Sequence, residues 1–306
     1  TEGANYIPIE EGALEEAIQT GRGQWVQGDA PPRLSLAGAQ DKIAVRAESH
    51  GEGWRFLLPE GGAASTHILK LPVQDLRHVP LFEAYTTYLT NQLELPVAPV
   101  QPIPLGDHLL SLSQRFDRRN QACAIQRFHQ EDPCQAQGLS RTDKYTRSPE
   151  AFTKVAELLR EHSLQPARDI QALVNWQVFN ALAGNTDGHL KNLALLAVGD
   201  GWQLAPFYDL VCTLAIPHVS HRLALPVGSK DDPQNLHRNH WDEFAHQLGV
   251  SPRLVKRTIQ SQATHLCDEA DNWLNRFREQ YGELPALDCI HAIVRKQSIK
   301  ALRDWA

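Results

Sequence analysis

Near residue 118 the hydrophobic pattern of this chain changes period, and that change constrains the fold more than any other feature. Before it, Ile43–Arg46, Trp54–Leu58, Thr66–Leu71, Val97–Pro102 and His108–Ser113 are short runs of strand type. Clusters such as Glu60-Gly61-Gly62 and Pro104-Leu105-Gly106 bound them. Among them, the stretch from Leu81 to Leu93 places Ala84, Tyr85, Tyr88, Leu89 and Gln92 at helical spacing and ends before Pro96. From about residue 120 onward the spacing is helical. Ser148-Pro149-Glu150 opens a helix through Leu159, and the stretch from Arg168 to Leu182 carries Ile170, Leu173, Val174, Val178 and Leu182 on one face. Trp241 to Leu248, Pro252 to Ala270 and Asp288 to Leu302 follow. The pattern predicts an α+β protein with two lobes. A small strand-rich lobe covers residues 1–118 and a larger, mainly helical lobe covers 119–306, joined near Gln114-Arg115-Phe116-Asp117-Arg118.

Composition narrows the function. With 306 residues, 42% hydrophobic and 22% charged, the chain has ample material for a core and is not of disordered type. A net charge of −6 argues against holding nucleic acid by global charge. No apolar run reaches the roughly 18 residues that span a bilayer. The five cysteines (Cys123, Cys134, Cys212, Cys267, Cys289) are scattered and form no CxxC, which predicts a reduced, cytoplasmic protein without a disulfide framework or zinc site. The histidines, among them His67, His78, His108 and His189, sit on different elements and need no metal.

Four segments carry chemistry. The first, Ala183-Gly184-Asn185-Thr186-Asp187-Gly188-His189-Leu190-Lys191-Asn192, is a polar loop between an amphipathic helix and an apolar strand, Leu193 to Ala197. Asp187 and Asn192 have the spacing of the protein-kinase catalytic loop, where the Asp accepts a hydroxyl proton and the Asn holds magnesium. The same residues also suit a plain turn. The second, Leu204 to Leu210, lies beyond a hairpin at Gly199-Asp200-Gly201. Its Asp209 follows a short strand, where kinases keep their main metal-binding carboxylate, although a turn or helix cap would also use an Asp there. The third, Leu34 to Lys42, sets small residues ahead of a strand, where backbone N–H groups can approach phosphates. The fourth places Lys70 in an otherwise apolar strand. A buried Lys needs a partner, and phosphate oxygens or Glu83 on the next helix would serve, as would a Lys stem snorkelling to water. Each signal is modest alone, but small-residue loop, strand Lys, helix Glu, loop Asp and Asn, and metal Asp occur in kinase order.

With these segments in place, the sequence resembles the HipA family of bacterial serine/threonine kinases, the toxins of toxin–antitoxin systems. The similar stretches are Ser35 to Lys42, Thr66 to Pro72, Gln114 to Arg118, His129-Gln130-Glu131-Asp132-Pro133-Cys134-Gln135, Gly184 to Asn192 and Pro206 to Leu210, in family order over most of the chain. The resemblance implies a two-lobed, protein-kinase-like fold that uses ATP and Mg²⁺. It implies Asp187 as catalytic base, Asn192 and Asp209 as Mg²⁺ ligands, and Lys70 on the α/β phosphates. Ala37, Gly38, Ala39, Gln40, Asp41 and Lys42 would form the phosphate loop, and Gln114, Arg115 and Phe116 would line the adenine pocket. His189 and Lys191 would lie beside the γ-phosphate, with Lys191 offsetting transition-state charge and Tyr208 adjoining the nucleotide. Gln114 stands where the family often has Glu. Ser35 matches the serine that the family autophosphorylates, and a phosphate there would add about two negative charges where ATP phosphates sit. The Gln130-Glu131-Asp132 segment is either structural or orients the catalytic loop.

Only 34 residues precede Ser35, so the chain is most similar to the short form, HipT, of the three-gene HipBST system. That implies an aminoacyl-tRNA synthetase as substrate, tryptophanyl before glutamyl. It also implies a HipB-like helix-turn-helix antitoxin and a small HipS-like protein as partners, with DNA reached only through the antitoxin and no membrane contact. Two other readings stand beside this one. Asp187-Gly188-His189-Leu190-Lys191-Asn192 is also similar to small-molecule and lipid phosphotransferases. Trp241 to Pro252 followed by Arg253, Lys256 and Arg257 reads like a DNA-binding helix-turn-helix, although Phe244, Ala245, Leu248 and Val250 suit a packed hairpin equally well.

Overall fold

Residues 5–20, 42–51, 53–72, 76–121, 124–138 and 150–305 are described by a computed structural model of the protein. Ser35, Ala37 to Asp41, Cys123, Ser148 and Pro149 lie outside the described residues. By its internal contacts the chain divides into two units, Thr1–Ala84 with Ala98–Arg127 and Tyr85–Val97 with Phe128–Ala306.

The first unit is built on an antiparallel six-stranded sheet. Its strands are β1 (Asn5–Pro8), β2 (Lys42–His50), β3 (Gly53–Glu60), β4 (His67–Lys70), β5 (Val100–Leu105) and β6 (His108–Gln114), in the order β1-β3-β2-β4-β6-β5. Period-2 alternation buries Ile43 and Val45 of β2 on the face that also takes Leu69, Leu110 and Leu112. Helix α1 (Glu11–Thr20) adds Leu14 and Ala17 to that core. Pro102 and Pro104 fall on β5, an edge strand, where a missing N–H leaves no gap in the ladder. A separate hairpin, β7 (Arg118–Gln121) with β8 (Ala124–Arg127), follows β6.

Helix α2 (Val79–Gln92) begins in the first unit and belongs to the second from Tyr85. The second unit has a small sheet, β9 (Gln130–Glu131), β10 (Leu195–Val198) and β11 (Gly201–Leu204), in the order β11-β10-β9, and a short helix α3 (Pro133–Ala136). The rest is helical: α4 (Ala151–His162), α5 (Pro166–Ala183), α6 (Arg238–Leu248), α7 (Pro252–Tyr281) and α8 (Leu287–Asp304). Phe152, Val155, Ala156 and Leu159 form the buried stripe of α4, and Phe152 meets Phe244 of α6 edge-on with ring centroids 4.8 Å apart. Trp176 and Phe179 of α5 are fully buried, as expected of core, whereas Trp202 is half-buried against His129.

The structure corrects several expectations. Arg118–Gln121, Ala124–Arg127 and Gln130–Glu131 are strands, not helix; β7 and β8 carry Arg, Asn and Gln on both faces, so no apolar period marks them. Helix α7 runs to Tyr281 instead of Ala270, because Trp273, Leu274 and Phe277 continue its buried stripe. Strand β1 and helix α1 were not foreseen, although Leu14, Ala17 and Ile18 have helical spacing. Val97 lies outside β5 and instead forms a parallel bridge with Phe207. In the segment resembling helix-turn-helix, Phe244, Ala245 and Leu248 are fully buried and Lys256 lies 5.7 Å from the Trp305 ring centre. No described helix is long and apolar enough to cross a membrane.

Candidate active site

The first unit holds a buried polar cluster at the centre of its sheet. Lys70 ends β4, a strand bounded on both sides, and its ammonium meets the carboxylate of Glu83 on α2. Ser111 Oγ of β6 donates to the other carboxylate oxygen at 3.1 Å. Lys70 is 4% exposed and Glu83 and Ser111 are 0%. So buried a charge is tolerated only with a partner of opposite sign, and among the partners the sequence left open Glu83 is one that meets it. Lys42 stands opposite Lys70 across the β2–β4 ladder.

The Gln114–Phe116 segment follows β6. Gln114 is exposed and its N–H donates to Pro99 O at 2.9 Å, while Arg115 N–H donates to Thr66 O at 3.0 Å. The Arg115 guanidinium grips Asp117 with two bonds, 2.9 and 2.7 Å, and reaches Ser65 Oγ at 3.2 Å. Arg118 adds a third bond to Asp117, 2.6 Å. Burial alone would push the Asp117 carboxyl up, but the two guanidiniums outweigh it and hold it below the usual carboxylate range. This Arg-Asp-Arg knot was not anticipated; its signal was the alternation of charges at 115, 117 and 118.

The second unit carries the loop after α5. Gly184 ends that helix at φ +70°, a left-handed cap that glycine adopts without strain. The loop is then pinned from both sides. Asn185 N–H and Nδ2 donate to Asn180 O and Oδ1 of α5, each at 2.9 Å. Thr186 N–H donates to Thr213 Oγ1 at 2.7 Å, and Thr186 Oγ1 bonds Thr213 Oγ1 and Ser220 O. Within 181–190 every residue is buried except Asp187, which is exposed. A rigid loop therefore presents one carboxylate to solvent, the arrangement a general base requires.

Gly188 is held against α5: a Cβ there would lie 2.6 Å from Asn180 Nδ2 and 3.3 Å from Trp176. Gly188→Ala is expected to shift the loop off α5 and destabilise this unit by about 1–3 kcal/mol, the usual overpacking cost. A thermal melt and the resulting loss of activity check it; an unchanged melting temperature would refute the close approach.

A 3₁₀ turn, Leu190–Asn192, follows. Asn192 Oδ1 accepts from His189 N–H at 3.1 Å, and Asn192 Nδ2 points at Asp209 Oδ2, 3.5 Å away. Tyr208 Oη lies 2.8 Å from Lys191 O and 3.1 Å from Leu193 O, so Tyr208 fastens the turn. Asp209 has φ +55°, a conformation that costs a non-glycine residue roughly 1–3 kcal/mol and persists where surroundings impose it, often at functional sites. Lys191 Nζ is 2.6 Å from Asp132 Oδ2. Asp187, His189, Lys191, Asn192, Tyr208 and Asp209 thus share one loop cluster, while Lys42, Lys70 and Gln114 to Phe116 lie in the other unit.

The donor set suits a hard cation. Asp209 offers carboxylate oxygens of the kind Mg²⁺ takes with substrate phosphates completing its shell, and Asn192 would lend its carboxamide oxygen, which here accepts from His189 N–H. Among the described residues no group of three or more His, Cys, Asp or Glu forms a metal cage, so phosphate oxygens would have to supply the remainder.

Comparison with known proteins identifies the family. Residues 34–272 match the model of the HipA-like C-terminal domain. The chain is 36% identical over 254 residues to Y4mE of Sinorhizobium fredii, which carries the name of a candidate kinase; the match covers 82% of this chain and 59% of that protein. It is 30% identical over 240 residues to the serine/threonine-protein kinase toxin HipA of Shewanella oneidensis, covering 74% of this chain and 54% of that one. The chain therefore spans a little over half the length of these curated relatives. The fold is that of a chain in the solved complex of the Shewanella oneidensis MR-1 toxin–antitoxin system HipA, HipB and its operator DNA, at a TM-score of 0.84 and 24% identity over 99% of this chain and 73% of that one. The match over residues 34–272 places the chain in the HipA-like C-terminal domain family.

Proposed function

We propose that this chain is the catalytic part of a HipA-type serine/threonine protein kinase. The observation that carries the reading is Asp187, exposed in a loop otherwise buried from 181 to 190, a loop that runs on to the Asn192–Asp209 pair. Asp187 accepts the proton of the attacking hydroxyl. Asn192 and Asp209 hold Mg²⁺, and Lys70, fixed by Glu83, neutralises nucleotide phosphates. The bound Mg²⁺–ATP supplies the γ-phosphoryl group and its charge neutralisation. By the family resemblance, Ala37 to Asp41, which lie outside the described residues, would serve the phosphates with Lys42, Gln114 to Phe116 the adenine, and His189 and Lys191 the γ-phosphate. Tyr208 acts on this site by fastening the turn that carries Lys191. Autophosphorylation at Ser35 removes the phosphate loop from the nucleotide and silences the enzyme.

The substrate in this reading is an aminoacyl-tRNA synthetase, tryptophanyl or glutamyl, and its phosphorylation blocks translation. The partners are a HipB-like helix-turn-helix antitoxin, which alone contacts DNA, and a small HipS-like protein completing a short HipT form. The relative crystallised with HipB and operator DNA supports the antitoxin. Incubation with labelled ATP, Mg²⁺ and each purified synthetase tests the reading. Label is expected on one synthetase with the wild-type chain and on neither with Asp187→Asn. Label confined to small molecules would instead favour a small-molecule phosphotransferase.

A further inference from the structure

The ion pair between Asp132 and Lys191 joins residues 59 apart in sequence, both mostly buried, with side chains 11% and 19% exposed. The Asp132 carboxylate is used twice. Its Oδ1 accepts from Gln135 N–H at 2.8 Å, and Gln135 Oε1 accepts from Asp132 N–H at 2.9 Å, a reciprocal cap on α3. Its Oδ2 takes the Lys191 ammonium. The carboxylate cannot drift, because Glu131 just before it pairs with Leu195 and Gln130 with Leu196, tying β9 to the strand that leaves the catalytic loop. Lys191 is held at its other end too, by Tyr208 Oη on its carbonyl.

We propose that Asp132 is a positioning residue for phosphoryl transfer that acts through Lys191; this rests on the kinase reading above. A free lysine ammonium samples many rotamers, and ordering it costs roughly 1.5–2 kcal/mol. Asp132 settles that cost in the folded protein, before any substrate arrives. The ammonium then stands ready at the end of the loop that bears Asp187, where pre-oriented charge lowers a barrier most. The segment that resembled a family signature in sequence thereby gains a role: one oxygen builds α3, the other aims a lysine.

The two uses of the carboxylate make the test selective. Asp132→Asn keeps an acceptor for the α3 cap, since Asn caps as well as Asp, and removes only the charge facing Lys191. Steady-state transfer to the synthetase that wild type labels is measured for Asp132→Asn, Lys191→Gln and the double variant, with melting curves for each. Asp132→Asn is expected to lower kcat by about 10- to 100-fold with KM for ATP within about twofold, since misplacing one group by an ångström costs that much. The double variant should be no slower than Lys191→Gln, because Asp132 acts only through the lysine. Asp132→Glu should recover part of kcat. Multiplicative effects, or a wild-type kcat in folded Asp132→Asn, would overturn the proposal. A folded wild-type chain that transfers no phosphate from ATP to any protein, itself included, would instead overturn the kinase reading, leaving Asp132 as a helix cap and tie.

Discussion

Replacing Asp187 by Asn is expected to lower kcat about 10²- to 10⁴-fold, the share that a positioned general base contributes. The fold should survive. Asp187 is the one exposed residue in a run of ten, and the loop is anchored by its neighbours: Asn185 on Asn180 and Thr186 on Thr213. Asn is nearly isosteric with Asp, so the loop loses a charge and a proton acceptor and little packing. Single-turnover transfer from labelled ATP at saturating protein measures the chemical step. A melting temperature within a few degrees of wild type shows that the loss is chemical. An Asn variant that transfers phosphate at the wild-type rate would remove Asp187 from the role of base.

The second large effect falls on Glu83. Glu83→Ala takes the carboxylate away from the Lys70 ammonium, which is 4% exposed, and the acceptor from Ser111. Breaking a buried pair by removing one partner costs about 3–5 kcal/mol. The first unit is therefore expected to unfold at markedly lower urea than the second, giving two transitions in place of a single one. The companion experiment separates stability from function. Replacing both partners, Lys70→Met with Glu83→Leu, removes the two charges together and should recover most of the stability, because a buried ion pair is seldom worth more than well-packed apolar side chains. Activity should stay low, since the ammonium that meets the α/β phosphates in this reading is gone. If the double variant is as active as wild type, Lys70 has no part in nucleotide binding. If Glu83→Ala unfolds at the wild-type midpoint, the pair carries no structural weight.

Much of the fold was legible before the structure. Ile43, Val45 and Leu69 fall in runs read as strand and are buried there, and α5 buries the face that carries Ile170, Leu173, Val174 and Val178. Periodicity works there because one face of each element meets the core. It fails where no face is apolar. The β7–β8 hairpin, with Arg118, Arg119, Asn120 and Arg127, has no hydrophobic rhythm to read. Helix α7 was cut short because Asp268, Glu269, Asp271 and Asn272 interrupt its stripe on the side that faces water.

The sequence by itself determined the class of fold and the order of the chemical segments, and it named Glu83 as one of the partners open to Lys70, because strand, loop and helix follow each other closely there. It also singled out Asp187, Asn192 and Asp209 as a set. The tertiary structure alone decided which residue of the loop faces solvent, how Thr213 holds Thr186 from 27 residues away, and where the Lys191 ammonium goes. Local pattern records whether a side chain is buried, since that depends on its own element. The partner of a buried polar group comes from a different element, at a distance in sequence that no period encodes, and only the packed chain brings Asp132 to Lys191.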